Sequence, residues 1–146
     1  MSSYIIGFYG YSNTGKTTVI VDLIKKLTEA KFKVATIKYS DKKISFDTQK
    51  KDTYKHTQVG ANPVVLSSLL ETDFIIQKKF STEDIIKYLA TFEKIDIIIV
   101  EGVKDPSIPK VRIGDIQKRE NTILEYTGDF EKLYNFIEEK IKNKEE

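Results

Sequence analysis

No cysteine occurs among the 146 residues. That excludes disulfides, thiolate metal sites and cysteine nucleophiles, and it fits life in a reducing compartment. Arginine is nearly absent too: of 24 basic side chains only Arg112 and Arg119 carry a guanidinium. The one histidine, His56, lies on a polar stretch where a surface group is the ordinary outcome. Charge of neither sign dominates. The formal net charge of +2 is too near neutral to announce nucleic acid or an anionic membrane as a partner. Long apolar runs are missing as well: Ile97–Val100 is bounded by Asp96 and Glu101, far too short for a bilayer. No basic segment, apolar run and small-residue cleavage site open the sequence. A cytoplasmic, soluble protein is expected.

What is present is ordinary for a globular fold, with 40% hydrophobic and 32% charged residues. Its length suits a single domain over residues 1–146, burying about two-thirds of its unfolded surface. The run YIIGFY (residues 4–9) predicts a buried strand. Val19, Ile20, Leu23, Ile24, Leu27 and Ala30 then recur at the three-four spacing of an amphipathic helix over residues 17–30. Further strands are expected at 33–37, 63–67, 73–77, 96–100, 111–113 and 122–126, and helices at 51–60, from Ser81 to Phe92, and at about 129–143. Ser81 with Asp84 forms a capping-box-like start. Residues 39–50 show no period and read as a loop or small hairpin. Strands alternating with helices predict an α/β fold of the three-layer P-loop NTPase type: a mostly parallel sheet with helices on both faces.

The chemistry sits between the first strand and the first helix. Gly10–Thr17 fits G-x-x-x-x-G-K-[ST] at every fixed position. Gly10 and Gly15 let the backbone approach phosphate oxygens without a Cβ in the way. The amides of Ser12, Asn13, Thr14, Gly15 and Thr18, together with the helix N-terminus, aim donors at an anion. Lys16 adds a mobile charge for the β- and γ-phosphates, and the Thr17 hydroxyl is placed to ligate Mg²⁺. Chance supplies such a match in on the order of one in several hundred chains of this size, and the strand–loop–helix context makes chance rarer still. A phosphate cradle is the reading.

The run DIIIVEG carries Glu101 out of a buried strand at its carboxyl end, where α/β sheets bind ligands. Beside the loop, that carboxylate reads as the metal-side or water-orienting acid, although a strand-end acid facing solvent gives the same pattern. Gly102 permits a sharp turn or a close approach to the γ-phosphate. Asp41, Asp47 and Asp52 are candidates for a second acid, with Asp47 and Asp52 assisting catalysis. The lysine pairs at 42–43, 50–51 and 78–79 read as a solvated face.

Three segments together carry a resemblance: GYSNTGKTT, TIKYSDKKISFDTQKKDTYKHTQVGAN and DIIIVEGVKDPSIPK. The chain resembles the molybdopterin-guanine dinucleotide biosynthesis protein B (MobB) family over roughly residues 4–113. In that family the middle segment begins IKH and runs to D-x-x-G-K-D-[ST], a basic-His pair and an AGA turn. Here it reads Ile37-Lys38-Tyr39, Asp47, Lys51-Asp52-Thr53, Lys55-His56 and Gly60-Ala61. Tyr39 replaces a histidine, Ser40-Asp41-Lys42 a His-rich turn, Lys50 a glycine and Val59 an alanine. Tyr11 stands where related dimeric ATPases carry a second lysine.

The resemblance implies a Mg²⁺-dependent GTP-binding adapter with slow GTPase activity, often a homodimer, acting beside the guanylyltransferase that attaches GMP to molybdopterin. The preference for GTP rests on the resemblance alone, since N-K-x-D is absent. A small-molecule kinase or ATPase of related fold is the alternative. It would need an arginine-bearing lid, and no arginine-rich segment exists.

Overall fold

A computed structural model of the chain describes residues 2–11, 15–43, 45–47 and 52–144. The first apolar run forms strand β1 (Tyr4–Tyr9), followed by helix α1 (Lys16–Glu29) and strand β2 (Val34–Lys38). Then come α2 (Asp52–Gln58), the strands β3 (Val64–Ser67) and β4 (Thr72–Ile75), and α3 (Thr82–Leu89). Strands β5 (Ile97–Glu101), β6 (Lys110–Ile113) and β7 (Thr122–Tyr126) precede helix α4 (Phe130–Lys144). The chain divides into two compact units, residues 1–40 with 86–146, and residues 41–85.

The larger unit is built on a five-stranded sheet of order β2-β5-β1-β6-β7, every pair parallel. The expected α/β class with a mostly parallel sheet is what the chain forms. Ile97, Ile98, Ile99 and Val100 of β5 are all at most 1% exposed, as a continuous apolar run must be when both faces of its strand are covered. One face presents Tyr4, Ile6 and Phe8 of β1, Ile97 and Ile99 of β5, and Val111 and Ile113 of β6. Against it pack Val19, Ile20, Leu23 and Leu27 of α1 and Leu133, Tyr134, Ile137 and Ile141 of α4. These are the three-four stripes visible in the sequence. Asp129 caps α4, its side chain accepting from the Lys132 amide at 3.1 Å.

On the other face Gly7 has a packing reason. A Cβ there would stand 2.2 Å from Val103 Cγ1, so only glycine admits the segment that follows β5. That segment lies over the sheet at Gly7, with Ile108 and Lys110 also beside it.

The smaller unit holds α2 and an antiparallel hairpin of β3 with β4, a sheet of its own, registered Val64↔Ile75 to Ser67↔Thr72. Ser68 closes the turn: its amide donates to Glu71 O at 2.9 Å, and its hydroxyl accepts from the Leu70 and Glu71 amides. Ser81 starts α3 as read, its Oγ accepting from the Asp84 amide at 3.1 Å. The helix stops at Leu89, short of Phe92, because the chain tightens there into i→i+3 bonds from Thr91 to Tyr88 and Phe92 to Leu89. The described part of 39–50 contains no strand or helix.

Tyr4 generates a prediction. Its ring is in the core, 7% exposed, and its hydroxyl has no hydrogen-bond partner among the described residues. Burial pushes the phenol up to about 12. The folded pKa is thus raised above the unfolded value near 10, so the contribution to stability is intact below about pH 10 and is lost as pH climbs through about 12. Tyr4→Phe is expected to be as stable as the wild type or about 1 kcal/mol more so at pH 7. Between pH 10 and 12 its advantage should widen by up to about 2–3 kcal/mol. Denaturant melts of both proteins across that range check this; parallel stability curves would refute it.

Candidate nucleotide site

Gly10 follows β1, and Gly15 follows with φ 81 as the left-handed N-cap of α1. That conformation is nearly free for glycine and strained for other residues. Gly15 makes no side-chain cap, so the first amides of α1 are left to face whatever occupies the cleft in front of them. The cleft is about 600 Å³ and is lined by Tyr11, Gly15, Lys16, Thr17, Thr18, Lys38, Tyr39, Glu101 and Gly102. It lies at the carboxyl edge of β1, β5 and β2, the edge where parallel sheets bind ligands.

Two cations and one anion define its charge. Lys16 Nζ donates to Gly10 O at 3.4 Å and stands 3.6 Å from Glu101 Oε1. Lys38 Nζ approaches the same oxygen at 4.0 Å. The register places Lys38 opposite Glu101 on the paired strands. Two ammoniums against one carboxylate, plus the positive end of α1, leave a surplus that favours an anion. The side chains of Lys16 and Glu101 are only 19% and 15% exposed, so their interactions are less screened than at an open surface.

Backbone bonds hold the rim. The Tyr39 amide donates to Glu101 O at 3.1 Å, and the Gly102 amide to Phe8 O at 3.0 Å. Gly102 has φ 83, which requires glycine where the chain turns sharply after Glu101.

Lys110 anchors the next stretch. It is fully buried, and its ammonium donates to the carbonyls of Asp105, Ile108 (2.8 Å) and Glu120 (2.9 Å). Burial holds its pKa below the ordinary lysine value, while the three carbonyls satisfy all three of its donors. Arg119 reinforces this, donating to Val103 O at 2.9 Å with its guanidinium 4.8 Å from the Tyr9 ring centre. Arg112 is engaged with Ile116 O and the Glu125 carboxylate. Neither arginine lines the cleft.

The sequence profile described as MobB, molybdopterin guanine dinucleotide synthesis protein B, matches residues 5–135. The chain belongs to the MobB family. The match runs further toward the C-terminus than the motif-bearing residues 4–113. A Haemophilus influenzae molybdopterin-guanine dinucleotide biosynthesis adapter protein is 31% identical over 110 residues, 73% of this chain and 61% of that protein. A putative adapter protein of the same description from Methanocaldococcus jannaschii is 29% identical over 136 residues, 90% of this chain and 56% of that one. The chain therefore spans less than two-thirds of the length of these curated relatives. The crystal structure of Bacillus subtilis MobB superposes with a TM-score of 0.72 at 18% identity, over 94% of this chain and 97% of that one. A MobB homologue from Bacillus stearothermophilus gives 0.65 at 16%, over 95% and 98%. At such identities the likeness is one of fold.

Of the MobB-type residues read from the sequence, Gly15, Lys16, Thr17, Thr18 and Glu101 line one cleft, and Gly10 touches it through Lys16. Ser12, Asn13 and Thr14 fall outside the described residues, as do Lys50 and Lys51. Asp47 and Asp52 belong to the smaller unit. There the Asp47 amide donates to Ser45 Oγ at 3.1 Å, and Asp52 opens α2 with Lys55 at 4.0 Å. No group of three acidic or histidine side chains suited to a metal occurs among the described residues. Mg²⁺ in nucleotide sites takes only one or two protein ligands and fills the rest with phosphate and water. Thr17 and Glu101 fit that sparser demand.

Lys38 was missed as a site residue because its place opposite Glu101 depends on strand pairing. Lys110 was missed because a lysine reads as a solvated charge. Lys110→Met should destabilise the fold by about 2–4 kcal/mol, since the three carbonyls lose their shared donor. Denaturant unfolding measures it, and a loss under about 0.5 kcal/mol would show that the ammonium is dispensable.

Proposed function

We propose that this cleft binds the triphosphate of GTP with Mg²⁺, and that the protein serves as an adapter in molybdopterin guanine dinucleotide biosynthesis, hydrolysing GTP slowly. One observation carries the reading. The left-handed Gly15, the uncapped start of α1 and the Lys16 ammonium converge on a cleft of about 600 Å³ at the carboxyl edge of a parallel sheet. That volume lies within the range of small-molecule sites, about 300–1,000 Å³.

The amides of 15–18 face the phosphates, and Lys16 leaves Gly10 O and Glu101 for the β- and γ-phosphates. Thr17 and Glu101 hold Mg²⁺, which when bound neutralises phosphate charge. Glu101 would also orient water at the terminal phosphate. Slow turnover has a physical basis. Fast hydrolysis relies on an arginine at the phosphoryl group, a contribution of about three to five orders of magnitude, and Arg112 and Arg119 are both committed elsewhere.

The adapter role rests on the family and on the names of its curated relatives. A homodimer and a guanylyltransferase partner in the cytoplasm complete the reading. No helix among the described residues is long and apolar enough to cross a membrane.

Calorimetric titration with GTP and ATP analogues, with and without Mg²⁺, is the test. Mg²⁺-dependent binding that prefers GTP is expected, and Lys16→Ala should abolish it. Unchanged affinity in Lys16→Ala would sink the site, and preference for ATP would sink the guanine assignment. Glu101→Gln should leave nucleotide binding largely intact yet slow hydrolysis at least tenfold, as loss of a water-orienting acid would. Equal single-turnover rates would make Glu101 a bystander.

A further inference from the structure

The geometry points to Lys38 as a second phosphate-binding cation, which distinguishes nucleoside triphosphate from diphosphate by binding the terminal phosphate. The inference rests on the nucleotide reading above and adds to it a specificity-determining residue.

The order of the strands comes first. The phosphate loop and α1 both spring from β1, β5 lies next to β1, and β2 lies beyond β5. Phosphates cradled by the loop therefore start at β1. A polyphosphate running from the loop along this edge would bring its far end past Glu101 toward β2. Lys38 is the last residue of β2, the register partner of Glu101 and part of the cleft lining, so it would meet the terminal phosphate of such a ligand and not a diphosphate.

Charge supplies the second step. Lys16 and Lys38 share one acceptor, Glu101 Oε1, at 3.6 and 4.0 Å. When Lys16 turns to phosphate, Glu101 keeps a cationic neighbour in Lys38 and is not left as a bare carboxylate facing the polyanion. The Lys38 side chain is 71% exposed. Its contact with Glu101 is long and open to water, so it contributes little and is easily exchanged. A lysine terminal amine is a compact point charge on a flexible stem, suited to following a phosphate.

The third step is composition. Both guanidiniums of the chain are held by protein partners outside the cleft. Tyr11, on the loop itself, brings a phenol and not an ammonium to the lining. Among the described lining residues, Lys38 is the cation besides Lys16.

The experiment compares wild type, Lys38→Met and Lys38→Arg by calorimetry with GDP and with a non-hydrolysable GTP analogue, both in Mg²⁺. Lys38→Met is expected to weaken the triphosphate analogue about tenfold, the scale of one charge-assisted hydrogen bond at a partly exposed site, and to leave GDP unchanged. Lys38→Arg should restore the difference. If Lys38→Met weakens both ligands equally, or neither, the proposal is wrong. Thermal melts confirm folding, which an exposed side chain should not disturb. Lys16→Ala in the same series separates the two levels. If it abolishes binding of both ligands while Lys38→Met leaves their affinity ratio intact, only the role of Lys38 falls. If Lys16→Ala binds both normally, the nucleotide reading fails and the Lys38 proposal fails with it.

Discussion

The parallel pairing of β1, β5 and β2 is the constraint on which the site depends. Phe8 lies opposite Glu101, and Glu101 opposite Lys38. The ladder continues one step past the strands, through Gly102 to Phe8 and Tyr39 to Glu101. The loop after β1, the acid ending β5 and the lysine ending β2 are thereby delivered to one edge. A slip of one residue would turn Glu101 to the other face of the sheet. The buried Ile97–Val100 run resists such a slip, because both faces of β5 are filled.

The two faces have different tasks. On one, α1 and α4 supply a continuous apolar core, which fixes the start of α1 and with it Gly15 and Lys16. On the other, the chain beyond Glu101 lies against Gly7, stapled by Lys110 to three carbonyls and by Arg119 to Val103. Buried lysine is costly unless its donors are met; here three backbone carbonyls meet them and tie down an irregular segment that begins at the rim of the cleft. The scarce arginine is likewise used for structure, which leaves the cleft to lysines and backbone amides.

Much of this was legible in the residues. Local signals sufficed for β1, α1, β5 and α4, where apolar runs and three-four stripes are uninterrupted, and for the loop, whose glycines and Lys16 are contiguous. The β-rich residues 63–77 read as strands, yet their pairing as a separate antiparallel hairpin was not visible, since pairing is a long-range choice. Lys38 belongs to the same class: only the β2–β5 register shows that it meets Glu101. Lys110 illustrates another limit. Its environment consists of carbonyls from 105, 108 and 120, and composition cannot reveal a buried charge whose partners are backbone. Helix α3 fell short of Phe92 because the tightening of its last turn leaves no mark on side-chain periodicity.

The central claim is that the cleft before α1 is a triphosphate site, and a crystal structure with a non-hydrolysable GTP analogue and Mg²⁺ addresses it most directly. The account predicts a β-phosphate within hydrogen-bond reach of the amides at 15–18, with Lys16 Nζ moved from Glu101 onto the β- and γ-phosphates. A nucleotide bound elsewhere, or one seated here with Lys16 still paired to Glu101, would contradict it.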